Sequence, residues 1–285
     1  SEARPGSTVM VGVLFTMPDP WHIYWRSGGD AGQPPKINWR LSEPEVGFVL
    51  NDCTPKLVFA DEEYQDIMSQ AAADVDSVEK FYSMSAAKDK YAEFESLSKP
   101  GEGTEGDVGW DDGYVIIHTA AVAGQPRGAL LSHGNMTLSN MEGIQRMALT
   151  DSDVNLNTLP FFHVAGLSSA MVAMQAGGAN VIMPKFDAGE SIKWIEEEKV
   201  TMFFNFAPIL QMLLDKLKDD PRDISSLRHI SGLDLPENIQ KFKEKVPEVC
   251  FWSGFGQTET SGGVTACPFD EMPGSAGKEH TLANV

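Results

Sequence analysis

The sequence is short of cysteine, of positive charge and of long apolar runs, and each shortage narrows what the chain can be. Three cysteines in 285 residues, Cys53, Cys250 and Cys267, form an odd and widely spaced set, which suits reduced core thiols rather than a disulfide framework. Neither a CxxC pair nor an HExxH stretch occurs, so the ligand spacing of a structural or protease metal site is missing. Lys and Arg total 22 against 41 Asp and Glu, a formal net charge of −19. Such a surface repels phosphate polymers, and without a basic cluster this argues against nucleic acid as a partner. No window approaches the ~20 consecutive apolar residues of a membrane-spanning helix. The opening SEARPGST lacks the basic and apolar parts of a signal peptide, although it starts on Ser rather than Met.

What is present is a hydrophobic share of 42%, ample for one large or two modest domains. Val9 to Phe15 reads as a strand, and the Pro-, Gly- and Trp-rich PDPWHIYWRSGGDAGQPP that follows favours turns, so the chain opens β-rich. From Glu43 the character changes. EPEVGFVLND has helical spacing, PKLVFAD reads as a strand, part of Glu62 to Ala73 as a helix, and Phe81-Tyr82 as strand again. Ala86 to Leu97 reads as a polar surface helix, and Lys99 to Gly113 as a Gly- and acid-rich loop. The remainder alternates buried-strand candidates (YVIIHTA, NLNTLP, NVIMP, TMFFNF, LRHIS, CFWSGF) with helices near His133–Met147, Ala165–Gln175, Ala188–Glu198, Pro208–Leu217 and Pro236–Lys245. This alternation predicts an α/β fold of mainly parallel sheets flanked by helices, with ligands at the carboxyl ends of the strands.

Three segments sit where predicted strands end: TAAVAGQPRGALLSHGN (Thr119 to Asn135), PFFHVAGL (Pro160 to Leu167) and WSGFGQTET (Trp252 to Thr260). Singly each is weak. A His after two phenylalanines is more often a core residue hydrogen-bonded to backbone than a catalyst, and GFGQTE fits a strand end with a tight turn. Their order and spacing carry the weight.

Together they resemble the adenylate-forming superfamily: the AMP-forming acyl-CoA synthetases, luciferases and peptide-synthetase adenylation domains. Thr119, Gly124, Pro126, Arg127, Gly128, Ser132, His133 and Asn135 fall in register with that family's phosphate loop, TSGTTGxPKG, and the helix start after it. PFFHVAGL matches its PLFHxxGL, Phe255 to Glu259 its YGxTE, Ser231 to Pro236 its GGAPLP, and Pro273 to Lys278 its PGSxGxP. The segment from Ile37 to Asp61 is similar to its NxRLxxxELxxxLxDS. The resemblance covers about residues 37–278.

The resemblance implies two half reactions: a carboxylate attacks the α-phosphate of ATP and releases pyrophosphate, and the thiol of CoA then captures the acyl-adenylate. It implies ATP (bound as AMP after adenylation), Mg2+ and CoA, a fatty or other hydrophobic carboxylate, and a cytoplasmic setting. Residue by residue, Thr119 donates a hydroxyl, Gly124 and Gly128 offer backbone N–H groups, the helix start adds its partial positive charge, and Arg127 replaces the usual Lys in holding pyrophosphate. Gly232, Leu233, Asp234, Gly254 and Gln257 contribute to the nucleotide site. Phe255 stacks on adenine, Gly256 lets the backbone approach it, Thr258 donates to the α-phosphate, and Glu259 holds Mg2+. His163, kept neutral, walls the acyl pocket near the reacting carboxylate.

Three departures temper this. Ala120-Ala121-Val122-Ala123 replaces Ser-Gly-Thr-Thr, removing three hydroxyls and a glycine from the loop, at about 1.5–3 kcal/mol for each hydrogen bond to a charged oxygen. The family continues past PGSAGK with a ribose-binding Asp, a hinge and a mobile lid bearing a catalytic Lys, so the chain to Val285 is expected to turn over poorly by itself. Finally, residues 8–41 are similar to the N-terminal β-sandwich of DsbD-type thiol:disulfide interchange proteins, which implies a β-rich segment 1–41 of other origin joined to an AMP-binding segment 42–285. Two other functions follow from these departures: a non-catalytic nucleotide- or acyl-adenylate-binding module, and a periplasmic partner-binding protein if the N-terminal likeness governs.

Overall fold

In the computed structural model, residues 42–97, 107–119, 127–183 and 186–280 are described. The expected strand at Val9–Phe15, the DsbD-like stretch, most of the acidic loop and Ala120 to Pro126, including Gly124, lie outside them. The chain divides into two compact units, with the boundary between Gly134 and Asn135.

The first unit opens with α1 (Glu43–Cys53). The Ser42 N–H and hydroxyl both donate to the Glu45 carboxylate at 2.7 Å, a reciprocal N-terminal cap, and Thr54 ends the helix in the left-handed conformation. Strand β1 (Leu57–Ala60), helix α2 (Gln65–Ala71), β2 (Lys80–Ser83) and β3 (Tyr91–Glu93) follow. The three strands make a parallel sheet in the order β1-β2-β3. Val46, Leu50, Val58, Met68, Val75 and Tyr91 fill the core between sheet and helices.

Here one expectation is corrected: Ala86 to Leu97 is not one surface helix but strand β3 followed by a short 3-10 turn, Phe94–Leu97. Tyr91, Phe94 and Leu97 have helical spacing, but Tyr91 is buried in β3 and its hydroxyl donates to the Gln65 carbonyl at 3.1 Å. Asp89 has φ 48°, which breaks any helix through it. Gln65 binds the approach to β3, donating to Ser83 Oγ and the Ala86 carbonyl and accepting from Lys88 N–H. Tertiary pairing of one aromatic residue overrides a weak polar helix pattern.

Next come β4 (Gly113–Thr119) and β5 (Arg127–Ser132), which pair antiparallel as a two-stranded hairpin. Helix α3 (His133–Met147) starts directly after β5.

The second unit is built on a seven-stranded sheet. Its elements are β6 (Val154–Asn157), α4 (Val164–Gln175), β7 (Ala179–Ile182), α5 (Ala188–Glu197), β8 (Met202–Phe206), α6 (Ile209–Asp219), β9 (His229–Leu233), α7 (Pro236–Lys245), β10 (Cys250–Gln257), β11 (Gly262–Pro268) and β12 (Lys278–Glu279). The order is β12-β11-β10-β9-β8-β6-β7. The pairs from β7 to β10 are parallel, and β11 and β12 extend the sheet antiparallel. Alternation along β8 shows both faces covered. Met202 packs with Met147 and Val172 of α3 and α4, while Phe203 packs with Ile209, Leu210 and Leu213 of α6 in the larger core. Asp187 caps α5, its carboxylate accepting from Glu190 N–H at 2.9 Å. The predicted α/β architecture is therefore present. The antiparallel strands β5, β11 and β12 were not expected, because RGALLS read as loop and helix start, and GGVTACP is too rich in glycine to stand out.

Candidate active site

The carboxyl edge of the parallel strands in the second unit gathers most of the candidate residues. Register aligns Ser253 with Gly232 and Gly232 with Asn205, so Leu233, Asp234 and Gly254 onward emerge from neighbouring strands at one level. Beyond the edge, β10 runs on through Phe255, Gly256 and Gln257 into a single 3-10 turn, Thr258–Thr260. Phe255 is 54% exposed, a large ring left to solvent at a strand end. The turn is held by Thr260, whose hydroxyl oxygen accepts from Gln257 N–H and lies 3.0 Å from both the Gln257 and Gly262 carbonyls, which share its single O–H. Thr258 and Glu259 are presented by that turn. Among the described residues no group of three or more His, Cys, Asp or Glu could hold a metal. Glu259 is exposed on that turn and belongs to no such group.

His163 is the N-cap of α4, and its Nδ1 accepts from Ala165 N–H at 3.1 Å. Its ring meets Phe206 at the end of β8 edge-on, centroids 6.3 Å apart, which places it on the same sheet edge. Burial pushes its pKa below the ordinary imidazole value, and an Nδ1 that accepts a hydrogen bond carries no proton. Both favour the neutral ring.

Two glycines at this edge are needed by the sheet itself. A Cβ on Gly232, at φ 140°, would strike the Asn205 carbonyl, and one on Gly256 would strike the Gly262 carbonyl of β11. The close approach that Gly256 permits is that of its neighbouring strand β11. Asp234 is likewise engaged within the fold. Its carboxylate accepts from Leu235 N–H (2.8 Å), Asn238 Nδ2 (2.8 Å) and Asn205 Nδ2 (3.1 Å). Asn205, fully buried, also donates to the Leu233 carbonyl at 3.2 Å, and its Oδ1 has no hydrogen-bond partner among the described residues. The sequence reading missed Asn205, since in TMFFNF it was only part of a strand; an Asn between two phenylalanines in a buried strand is the signal that was available.

The other candidates belong to the first unit. Thr119 and Arg127 face each other at the open end of the hairpin, the Thr119 hydroxyl 3.4 Å from the Arg127 carbonyl, and Gly128 pairs with His118. One expectation is corrected here. The loop joins two antiparallel strands rather than a strand and a helix, so β5, six residues or ~20 Å long, separates it from the start of α3. The first helical N–H groups are also taken: His133 donates to the Asp112 carbonyl at 3.0 Å and Gly134 to the Trp110 carbonyl at 2.8 Å. The start of α3 therefore lies a full strand along the chain from Arg127, with its first two N–H groups already bonded within the fold.

Comparison with known proteins reads on this arrangement. The family described as AMP-binding enzyme matches residues 35–284. The chain belongs to the AMP-binding enzyme family. It is 32% identical over 256 residues to an indoleacetate–CoA ligase of Aromatoleum aromaticum (85% of this chain, 49% of that protein), and 26% identical over 256 residues to a feruloyl-CoA synthase of an Amycolatopsis species (87% and 49%). A solved structure from Rhodopseudomonas palustris CGA009, provisionally described as a long-chain-fatty-acid CoA ligase, superposes with a TM-score of 0.81 at 40% identity, covering 86% of this chain and 61% of that one. This AMP-binding chain thus spans about half the length of the curated relatives it matches. The likeness of residues 8–41 to DsbD-type proteins falls outside the described residues and gains no support from these comparisons; the family match itself begins at residue 35.

Proposed function

We propose that the chain carries the nucleotide-binding part of an ATP-dependent acid:CoA ligase acting on a hydrophobic aryl or fatty carboxylate. The observation that carries the reading is the Phe255–Glu259 segment, paired with β11 through Gln257 but with the Phe255 ring exposed, at the carboxyl edge of the sheet in a chain of the AMP-binding family. The substrate class draws on the relatives, whose names give indoleacetate, ferulate and a long-chain fatty acid.

Each residue then has a task. The exposed ring of Phe255 supplies a face for adenine. The Thr258 hydroxyl donates to the α-phosphate, and Glu259 gives Mg2+ its protein ligand; the cation would neutralise phosphate charge as pyrophosphate leaves. Neutral His163 donates through Nε2 to orient the attacking carboxylate, since its Nδ1 is committed to Ala165. Thr119 and Arg127 hold the departing pyrophosphate, the guanidinium through a two-pronged contact. CoA is the acyl acceptor.

A second reading, a nucleotide- or acyl-adenylate-binding module, is favoured by one observation: Ala120 to Ala123 supply none of the hydroxyls that such a loop uses. Titration of ATP into Arg127→Ala and Phe255→Ala, alongside a CoA-dependent turnover assay with indoleacetate, ferulate and decanoate, separates the two. The ligase reading expects turnover with one of these acids and a loss of about tenfold or more in ATP affinity for Arg127→Ala, in line with a charge-assisted contact. Adenylate binding with no turnover, and ATP affinity that ignores Arg127 but collapses with Phe255→Ala, would favour the module.

A further inference from the structure

We propose that His118 and Asp52 form a positioning pair that fixes the Thr119–Arg127 rung of the hairpin and thereby sets how Thr119 and Arg127 meet a nucleotide polyphosphate. The inference rests on the phosphate-binding reading above.

His118 Nε2 and Asp52 Oδ2 are 2.8 Å apart, with the imidazole side chain 14% exposed and the carboxylate 44%. His118 lies one residue before Thr119 on β4 and pairs across the hairpin with Gly128, one rung from the Thr119–Arg127 pair that closes the stem. A Cβ on Gly128 would stand 2.8 Å from Asp52 Oδ2 and 3.1 Å from His118 Nε2. Carboxylate and imidazole therefore lie directly over the β5 backbone, in space that exists because position 128 is glycine.

The hairpin has reason to need such a tether. It is a two-stranded sheet, and an isolated two-stranded ribbon is at best marginally stable in water. Asp52 also gains from the pairing. It sits in the last turn of α1, which holds no basic residue, and a carboxylate there faces the negative end of the helix dipole. An imidazole from β4 that donates through Nε2–H compensates it. The pair thus joins α1 to the rung beside the loop, across 66 residues of sequence.

Calorimetric titration of ATP, pyrophosphate and adenosine into the chain, Asp52→Ala, His118→Leu, the double variant and His118→Gln tests this. Asp52 is half-exposed on a helix surface, so Asp52→Ala folds whatever becomes of His118→Leu. Each single substitution is expected to weaken ATP and pyrophosphate about fivefold and adenosine less than about twofold, with the double variant no worse than either single, as directly interacting residues behave. His118→Gln, whose amide can still donate to Asp52, should recover most of the affinity. Unchanged ATP affinity in Asp52→Ala, additive losses in the double variant, or equal losses for adenosine and ATP would overturn the proposal. Arg127→Ala distinguishes the two levels. If it weakens pyrophosphate while Asp52→Ala does not, only the positioning pair fails; if neither matters, the phosphate-binding reading fails with it.

Discussion

At the scale of single residues, the site is built from side chains with prior commitments in the fold. Asp234 accepts three hydrogen bonds from Leu235, Asn238 and Asn205. Asp234→Ala would leave the buried Asn205 amide short of a partner, at about 1–3 kcal/mol, so the denaturant midpoint should fall clearly while adenosine affinity changes little. The reverse pattern would restore Asp234 to direct nucleotide contact. His163 makes a pH-dependent prediction. Its folded pKa is depressed by burial, whereas in the unfolded chain it stays near ~6.5. The unfolded chain therefore takes up the proton first as pH falls, and the stability present above the unfolded value is lost as pH drops through the native one. His163→Asn keeps a good N-cap acceptor and does not titrate. Its melting temperature relative to the parent should rise between about pH 7.5 and about pH 5.5; a difference independent of pH would contradict the neutral, capping role.

At the scale of elements, the carboxyl edge of the sheet depends on the close approach of β11 to β10. Gly256→Ala would drive a methyl group into the Gly262 backbone, so it should cost about 1–3 kcal/mol, as overpacking does, and weaken nucleotide binding by displacing Phe255 and Thr258; unaltered stability would show that the strands can separate freely there. Elements whose apolar residues follow a strong period were legible in the sequence. Helices α3 and α7 span the predicted residues, and the buried strands β6 to β10 stand where they were expected, because a fully covered parallel strand must be a continuous apolar run. The failures share a cause. Tyr91, Arg127–Ser132 and Gly262–Pro268 adopt strand through pairing with chain distant in sequence or across a loop, and short edge or hairpin strands carry little pattern of their own. The motif segments at the strand ends were legible from their order and spacing, and Asn205 left a weak signal as an Asn between two phenylalanines. Asp52 and the reason for Gly232 were not legible, since each is defined by a neighbour on another strand or helix.

At the scale of the whole molecule, a net charge of −19 opposes the approach of a polyphosphate, so the proposed function requires a local cation, from Arg127 or from Mg2+. Nucleotide affinity should accordingly depend on Mg2+ far more for ATP than for adenosine. Among the described residues no helix is long and apolar enough to cross a membrane. The central claim is that the chain binds an acyl-adenylate at the carboxyl edge of its seven-stranded sheet, and calorimetric titration with a non-hydrolysable aryl- or acyl-adenylate tests it most directly. The account predicts saturable binding of one ligand per chain, abolished by Phe255→Ala in a variant that still melts cooperatively; a folded parent chain that gives no binding heat with the analogue, or a Phe255→Ala variant that binds it equally well, would contradict it.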